Sequence, residues 1–154
     1  MTAMKVRKRP AAKLPAETMT NDETRVLDDG TWPVGSVAHQ GDLIFVRIAE
    51  LPVGATPRAN RQLADGTTQG SRHVCEKGDV FDAPAESVVA AVKSVCPRSD
   101  VQVQYVGPLF RTKRGVAFID HPEHGAYRMN GKMVVAVIVQ RNLDAEERER
   151  RTVD

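Results

Sequence analysis

The sequence lacks the features that mark membrane-spanning and secreted proteins. No apolar run approaches the ~20 residues of a transmembrane helix, and the longest, from Met133 to Val139, has the length of a β-strand. The basic N-terminus is not followed by an apolar segment, so we expect no secretory signal peptide. The net charge of +2 is close to balance. Any contact with nucleic acid would therefore depend on local clusters of basic residues.

Cysteine and aromatic residues are also scarce. Cys75 and Cys96 are the only cysteines. They could form one disulfide, but they are too few for a disulfide framework and lack zinc-knuckle spacing. We favour two free, partly buried thiols in a reducing compartment and leave their bridging open. An aromatic content of 5% argues against recognition of single-stranded nucleic acid by stacking.

The rest of the composition is typical of a globular domain. A chain of 154 residues fits one domain that can bury a core. Runs rich in β-branched and aromatic residues, such as Leu43 to Ala49, alternate with turns rich in Gly, Pro, Asn and Asp. We predict a mainly β fold, a small antiparallel sandwich or barrel with one short helix, in a single domain covering residues 26–141.

The clearest structural signal is the dipeptide Asn130-Gly131 between two strand-like runs. Both residues accept the positive φ that a type I′ turn requires, so we predict a β-hairpin from Ala126 onward. Its second strand, from Met133 to Val139, is apolar at every position. We expect it to be covered on both faces at the centre of its sheet. Its expected core residues are Val135, Val137 and Ile138.

One helix is expected between the strands. Asp82 would cap its N-terminus and Pro84 would lie in its first turn. From Ser87 to Cys96, valines recur on one stripe of a short amphipathic helix, which Pro97 would end. Residues 101–106 then alternate apolar and polar side chains, which predicts a half-exposed strand.

Both ends of the chain carry clusters of charge. Before Glu17 the sequence holds five basic residues and no acid, and without an apolar period residues 1–25 are predicted to form an extended, flexible arm. Such an arm binds protein subunits or nucleic acid, or is a solvated tail without a partner. Residues 142–154 begin with acids and continue with arginines, which predicts a short charged C-terminal helix. The candidate partner-binding residues of the arm are Lys5, Arg7, Lys8, Arg9 and Lys13.

The histidines are the candidate reactive residues. His121, Glu123 and His124 lie in one short loop, and on a strand His73 and Cys75 would share a face. These five residues could converge as ligands of a divalent transition metal such as zinc or iron. The alternative is a rigid turn in which each ring caps a backbone group and the intervening proline stiffens the loop. We favour the turn, because no motif of established metal spacing is present.

No signature of catalysis is present. Cys75 could act as a nucleophile with His121 or His124 as its base, but neither a nucleophile elbow nor a phosphate-binding loop occurs. We therefore predict that the protein is not an enzyme. Nucleic-acid binding would use the arm together with basic residues at positions 111, 113, 114 and 141. A contact through the arm alone would be directed at the backbone and steeply salt-dependent.

Four motifs together carry a resemblance to a group of short bacterial and phage-encoded proteins with no assigned activity. They are Gln-Gly-Asp at 40–42, the glycine-rich turn before His73, the His-x-Glu-His loop at 121–124 and the closing Gln-Arg at 140–141. In that group the glycine-rich turn holds a His-x-His pair and the loop reads His-Glu-Glu-His. Here Ser71 and Pro122 replace one residue in each, which weakens a cupin-like metal site. The resemblance implies a bacterial or phage context.

These features favour a non-enzymatic structural or interaction protein. Most concretely, we expect a phage virion component that decorates or cements a capsid through its arm and an exposed sheet, located in the virion or the host cytoplasm. The expected partners are protein subunits, either of a capsid or of a homo-oligomer, and not a membrane. The alternatives are a cupin-like metal-binding domain, with or without enzymatic activity, and nucleic-acid binding through the basic arm.

Overall fold

The structure, a computed structural model, describes residues 24–64, 73–122 and 124–139. Within these ranges the chain forms eleven strands, one α-helix and one short 3-10 helix, so the prediction of a mainly β fold with one short helix is confirmed. The strands are β1 (Thr24–Asp28), β2 (Val37–Gln40), β3 (Leu43–Ile48), β4 (Thr56–Pro57), β5 (Gln62–Ala64), β6 (His73–Lys77), β7 (Asp79–Asp82), β8 (Val106–Arg111), β9 (Val116–Asp120), β10 (Ala126–Asn130) and β11 (Val134–Val139), and the helix is α1 (Ala85–Val95).

The strands form a sandwich of two sheets and do not close into a barrel. One sheet has the order β1-β10-β9-β6-β5, and the other has the order β2-β3-β11-β8-β7-β4. All neighbours are antiparallel except β1, which pairs in parallel with β10. Between the sheets, the ring of Phe45 packs edge-on against Phe110 and against Tyr127 of the opposite sheet, with centroids 5.6 and 5.8 Å apart.

The helix lies on the outer face of the six-stranded sheet and builds a second apolar cluster there. Val88 and Val92 of α1 are buried against the sheet, as the predicted stripe requires. Strand β11 consequently serves both cores, with Val135 and Val137 facing the other sheet and Ile138 facing α1. It pairs with β3 and β8, so its predicted central position is confirmed.

The predicted hairpin at Asn130-Gly131 is wrong. Strand β10 belongs to the five-stranded sheet and β11 to the six-stranded sheet, so the chain crosses between sheets at this point. Gly131 has a φ of +110°, but Asn130 is outside the left-handed region. The Asn130 amide donates to the Asp28 carboxylate (3.1 Å), and the Gly131 N–H donates to the Gly115 carbonyl (2.8 Å). Long-range hydrogen bonds have replaced the local turn.

Two further predictions need correction. Residues 101–106 do not form a strand, because Val103–Tyr105 is a 3-10 helix and β8 begins only at Val106. Val101 and Tyr105 are both buried in the cluster beneath α1, whereas residues 102–104 between them are exposed, so burial does not alternate along this segment. Helix α1 is confirmed, but Pro84 and not Asp82 occupies its N-cap position, since Asp82 ends β7.

Several predicted features lie outside the described residues. They include the five basic residues of the arm, Ser71, Glu123 and the charged C-terminal helix. Strand β1 begins at Thr24, two residues before the predicted start of the domain at 26. In the described ranges, no helix has the length and apolar character needed to cross a lipid bilayer.

Candidate functional site

The histidine cluster is organised by the side chain of Gln40, which is 1% exposed at the end of β2. Its Nε2 donates hydrogen bonds to the carbonyls of Ile119 (3.1 Å) and Gly125 (2.8 Å). Because both partners are acceptors, the Gln40 Oε1 must face its third partner, Nδ1 of His73, at 3.0 Å. One amide thus joins the six-stranded sheet to β9, β6 and the loop before β10.

His73 is held in one tautomer by this contact. Gln40 Oε1 can only accept, so Nδ1 of His73 carries a proton and donates it. The ring is 3% exposed and shares the inner face of β6 with the fully buried Cys75, as the strand alternation predicted. Its ring centroid lies 4.2 Å from that of His121.

His121 and His124 form the predicted rigid turn in part. Nδ1 of His121 accepts the backbone N–H of His124 at 3.0 Å, so one ring caps a backbone group as expected. The His124 ring instead stacks on His121 with centroids 4.4 Å apart and planes inclined by 30°. The three imidazoles therefore form a row that runs from the buried His73 to the exposed His124.

Gly41 makes room for the outer ring of this row. Its φ is +57°, and a Cβ built on it would overlap Cδ2 of His124. Any other residue would meet both the left-handed backbone and the ring. The Gln-Gly-Asp motif thus supplies the hydrogen-bonding amide of Gln40 and, at Gly41, the space that the His124 ring occupies.

Two rings of the row differ in their ability to bind a metal ion. A metal-bound imidazole usually ligates through Nε2 and donates its Nδ1–H to the protein, which His73 could do. His121 could not, because its Nδ1 accepts a hydrogen bond and a neutral ring then keeps its proton on Nε2. Among residues 24–64, 73–122 and 124–139, no three His, Cys, Asp or Glu side chains converge to hold a metal ion. The fifth candidate ligand, Glu123, lies outside them.

Cys75 does not have the environment of a nucleophile or of a thiolate ligand. Its Sγ donates to the carbonyl of Lys77 (3.1 Å), and burial raises the pKa of the thiol to about 11. Cys75 and Cys96 are both free thiols, and they belong to different apolar clusters on opposite sides of the six-stranded sheet.

A second feature, an apolar pocket of about 520 Å³, lies at the C-terminal end of α1. No pattern in the sequence predicts it. Its floor is the outer face of β2, β3 and β11, and its wall is the end of α1 with the segment that follows. The pocket is lined by Val37, Ile44, Val46, Val92, Cys96, Pro97, Arg98, Ser99, Asp100, Val101, Gln102, Tyr105, Ile138 and Val139.

The pocket exists because one helix cannot cover this sheet. Six strands about 4.8 Å apart span roughly 24 Å, whereas a helix with its side chains is about 10 Å wide. Helix α1 packs on β3 and β8, and after Cys96 the chain turns at Pro97, leaving the β2 side of the sheet open. The apolar residues Val37 of β2 and Ile44 of β3, which lie on the outer face of the sheet, were the one available signal. Whether these residues line an open pocket or are covered depends on where the helix lies on the sheet, and a single sequence does not reveal that position.

The pocket is bordered by exposed valines. Val37 of β2 is 48% exposed and Val103 of the 3-10 helix is 45% exposed. Val34, 46% exposed, precedes Gly35, whose carbonyl accepts a hydrogen bond from Cys96 Sγ. We call the pocket together with Val34, Val37 and Val103 the apolar patch.

Comparison with known proteins identifies one family. The family model described as Domain of unknown function (DUF8820) matches residues 39–132. This range includes Gln40, Gly41 and the three clustered histidines. No curated protein sequence and no solved structure matches the chain.

Proposed function

Because the chain belongs to the DUF8820 family, whose function is unknown, we propose its function from the geometry: it is a non-enzymatic interaction protein that binds a protein subunit at the apolar patch. In its most concrete form it is a phage virion component that decorates or cements a capsid. The observation that carries the proposal is the open apolar pocket with the exposed Val37 in its lining, and with the exposed Val34 and Val103 close to it in the chain.

An exposed concentration of apolar surface of this kind marks an interaction site in a soluble protein. Three of the five large apolar residues exposed in the described chain belong to the patch. A pocket of 520 Å³ has room for more than one side chain of a partner. Burying two aliphatic or aromatic side chains there would contribute about 3 to 6 kcal/mol. That is enough to anchor an interface whose remaining contacts are weak.

The histidine cluster supports the non-enzymatic part of the proposal. Gln40 uses both amide protons on backbone carbonyls, and His121 uses Nδ1 to hold a backbone N–H. These bonds join segments of both sheets. Their chemistry is that of a structural clamp, and Cys75 is kept as a protonated thiol beside it.

The predicted N-terminal arm, whose basic residues lie outside the described residues, would give the second contact of the proposed function. It leads into β1, an edge strand on which Val26 is 52% exposed. An arm that starts from a sheet edge can reach a neighbouring subunit while the domain binds its own site. The resemblance to bacterial and phage-encoded proteins adds a bacterial or phage context.

The test is binding of the full-length chain to assembled capsid shells. The shells are made from the capsid protein whose gene lies nearest to the gene of this chain. We expect co-sedimentation with intact shells at saturable stoichiometry, and a monomer in size-exclusion chromatography without shells. A chain that stays in the supernatant at all shell concentrations would contradict the proposal. So would a stable homodimer that buries the apolar patch, because the patch would then be a self-interface.

A further inference from the structure

A shallow depression with an excess of positive charge lies at one end of the sandwich, between the β6–β7 turn and the β8–β9 connection. Its volume is about 510 Å³. Its lining includes four cations and one carboxylate, an excess of three positive charges that exceeds the +2 of the whole chain. The lining residues are Arg61, Glu76, Lys77, Gly78, Lys113, Arg114 and Val116.

Arg61 is the fixed cation of this depression. Its Nε donates to the Cys75 carbonyl (2.6 Å) and one terminal nitrogen donates to the Gly78 carbonyl (2.5 Å). Both partners are neutral carbonyls, so the guanidinium keeps its full charge. Because its side chain is already ordered, it loses little conformational freedom when an anion binds.

Two neighbouring cations, Lys113 of the lining and Arg111 beside it, form long ion pairs with one carboxylate. Lys113 lies 4.0 Å from Asp79 with its side chain 62% exposed, and Arg111 beside it lies 3.5 Å from the same carboxylate. Exposed pairs of this length contribute little to stability. These ion pairs can break when an anion that binds the two cations more strongly than Asp79 is present.

Arg114 occupies a backbone position that does not suit an arginine. Its φ is +53° and that of Gly115 is +79°, the values of a type I′ turn. The turn is closed by two hydrogen bonds between Lys113 and Val116, of 2.8 and 3.1 Å. Asn or Gly would adopt this conformation without strain. Arg114 therefore places a cation at the tip of a rigid turn, at a position where the backbone conformation favours Asn or Gly. Backbone strain of this kind is characteristic of functional positions.

We propose that this depression binds the phosphate backbone of duplex nucleic acid, as an activity separate from the proposed docking of a protein subunit. Lys77, Lys113 and Arg114 contact successive phosphates, and Arg61 gives the fixed charge at the centre. None of the described lining residues is aromatic, so the site lacks the stacking platforms that hold unpaired bases. The contact is independent of base sequence and depends steeply on salt.

The test uses the full-length chain and a short fluorescein-labelled DNA duplex of random sequence, with anisotropy measured between about 50 and about 200 mM salt. Arg114→Asn removes the charge and gives the turn its preferred residue. We expect its melting temperature to equal or exceed that of the parent while its affinity falls severalfold. The slope of log K against log salt should decrease by about one for each phosphate that the variant no longer neutralises.

Three further variants complete the experiment. Lys113→Ala should weaken binding in the same way, whereas Lys93→Ala, on α1 and outside the depression, should leave affinity and slope unchanged. Glu76→Gln should strengthen binding, because it removes the carboxylate from the lining. Equal affinities for the parent, Arg114→Asn and Lys113→Ala would overturn the proposal. Tighter binding of a single strand than of the duplex would overturn it as well.

Discussion

At the scale of single residues, Gln40 and Gly41 determine the geometry of the histidine cluster. Gln40 satisfies two carbonyls and one imidazole in a buried setting, where unpaired polar groups are costly. Gly41 provides the space in which the His124 ring lies. The sequence pattern points to the histidines, whereas the Gln40 amide and the space at Gly41 determine where their rings lie.

Replacing Gln40 by Leu should destabilise the protein by about 3 kcal/mol, because it removes three buried hydrogen bonds, two to carbonyls and one from the His73 Nδ1–H. Gln104→Leu is the matched control, since Gln104 is exposed and its side chain bonds to Gln102. It should change the free energy of unfolding by less than about 0.5 kcal/mol. Urea denaturation of both variants measures the difference, and a decrease below about 1 kcal/mol for Gln40→Leu would show that Gln40 is not a clamp.

Gly41→Ala should cost about 2 kcal/mol or more, because the new methyl group meets a φ of +57° and the His124 ring together. Gly30→Ala is its control, since no atom lies within 4 Å of the added Cβ and its φ is not in the left-handed region. Thermal denaturation should separate the two variants clearly. Equal melting temperatures would contradict the packing of His124 on Gly41.

Cys75 should be unreactive in the folded protein. With its pKa raised from 9.0 to about 11, its thiolate fraction at pH 8 is about a hundredfold below that of an ordinary thiol. Iodoacetamide should therefore label the partly exposed Cys96 first and Cys75 only after unfolding. Because the folded-state pKa is the higher one, this thiol's contribution to stability is complete below about pH 9 and is lost as pH rises toward about 11. Labelling of both cysteines at one rate would contradict this assignment.

At the scale of elements, a pair of crossings between the sheets replaces the hairpin that the sequence predicted. Residues 112–115 and 131–133 carry the chain from one sheet to the other, and they are tied together: Met133 N–H donates to Thr112 Oγ1 (3.0 Å), and Gly131 N–H donates to the Gly115 carbonyl (2.8 Å). Arg47 joins this region by donating to the carbonyls of Trp32 (2.7 Å) and Lys132 (3.3 Å). The end of the sandwich is thus closed by hydrogen bonds between distant segments.

Two glycine substitutions separate strain from collision at these links. Gly115→Ala meets only an unfavourable φ of +79°, since nothing lies within 4 Å of its Cβ, and should cost about 1 kcal/mol. Gly131→Ala adds a collision with the Asp29 Cβ at 2.6 Å to a φ of +110°. It should cost at least about 1 kcal/mol more than Gly115→Ala in chemical denaturation. Equal costs would mean that the turn after β1 does not pack closely on this crossing.

These elements also show how much of the structure a single sequence can predict. Local patterns were sufficient for β3, β6, β11 and α1. Strands β3 and β11 are nearly continuous apolar runs of strand length, His73 and Cys75 alternate with exposed or half-buried residues on β6, and α1 carries its buried valines on one stripe. The partner of each strand was not predictable from such patterns. Asn130-Gly131 has the composition of a hairpin turn, yet bonds to Asp28 and Gly115, which are distant in sequence, decide its conformation. The apolar pocket was not predicted for the same reason, since it depends on where α1 ends on the sheet.

At the scale of the whole molecule, three features are separated on one sandwich. The histidine cluster joins the two sheets. The apolar patch lies on the outer face of the six-stranded sheet beside α1. The basic depression lies at the end of the sandwich where residues 112–115 connect the sheets. This separation allows the proposed docking of a protein subunit and the proposed binding of duplex nucleic acid to be removed independently. A protein bound to a capsid shell that contains nucleic acid could use both binding sites.

The most direct test of the central claim is the affinity for assembled shells of the full-length chain, of Val37→Asp and of Val53→Asp, measured by quantitative co-sedimentation. Both positions are exposed valines, but Val37 lines the pocket and is 48% exposed, whereas Val53 is 87% exposed and lies outside the pocket. Placing a carboxylate in the interface should weaken binding by about tenfold or more for Val37→Asp. Val53→Asp should bind like the parent. Equal binding of all three chains, or binding by none of them, would contradict docking at the apolar patch.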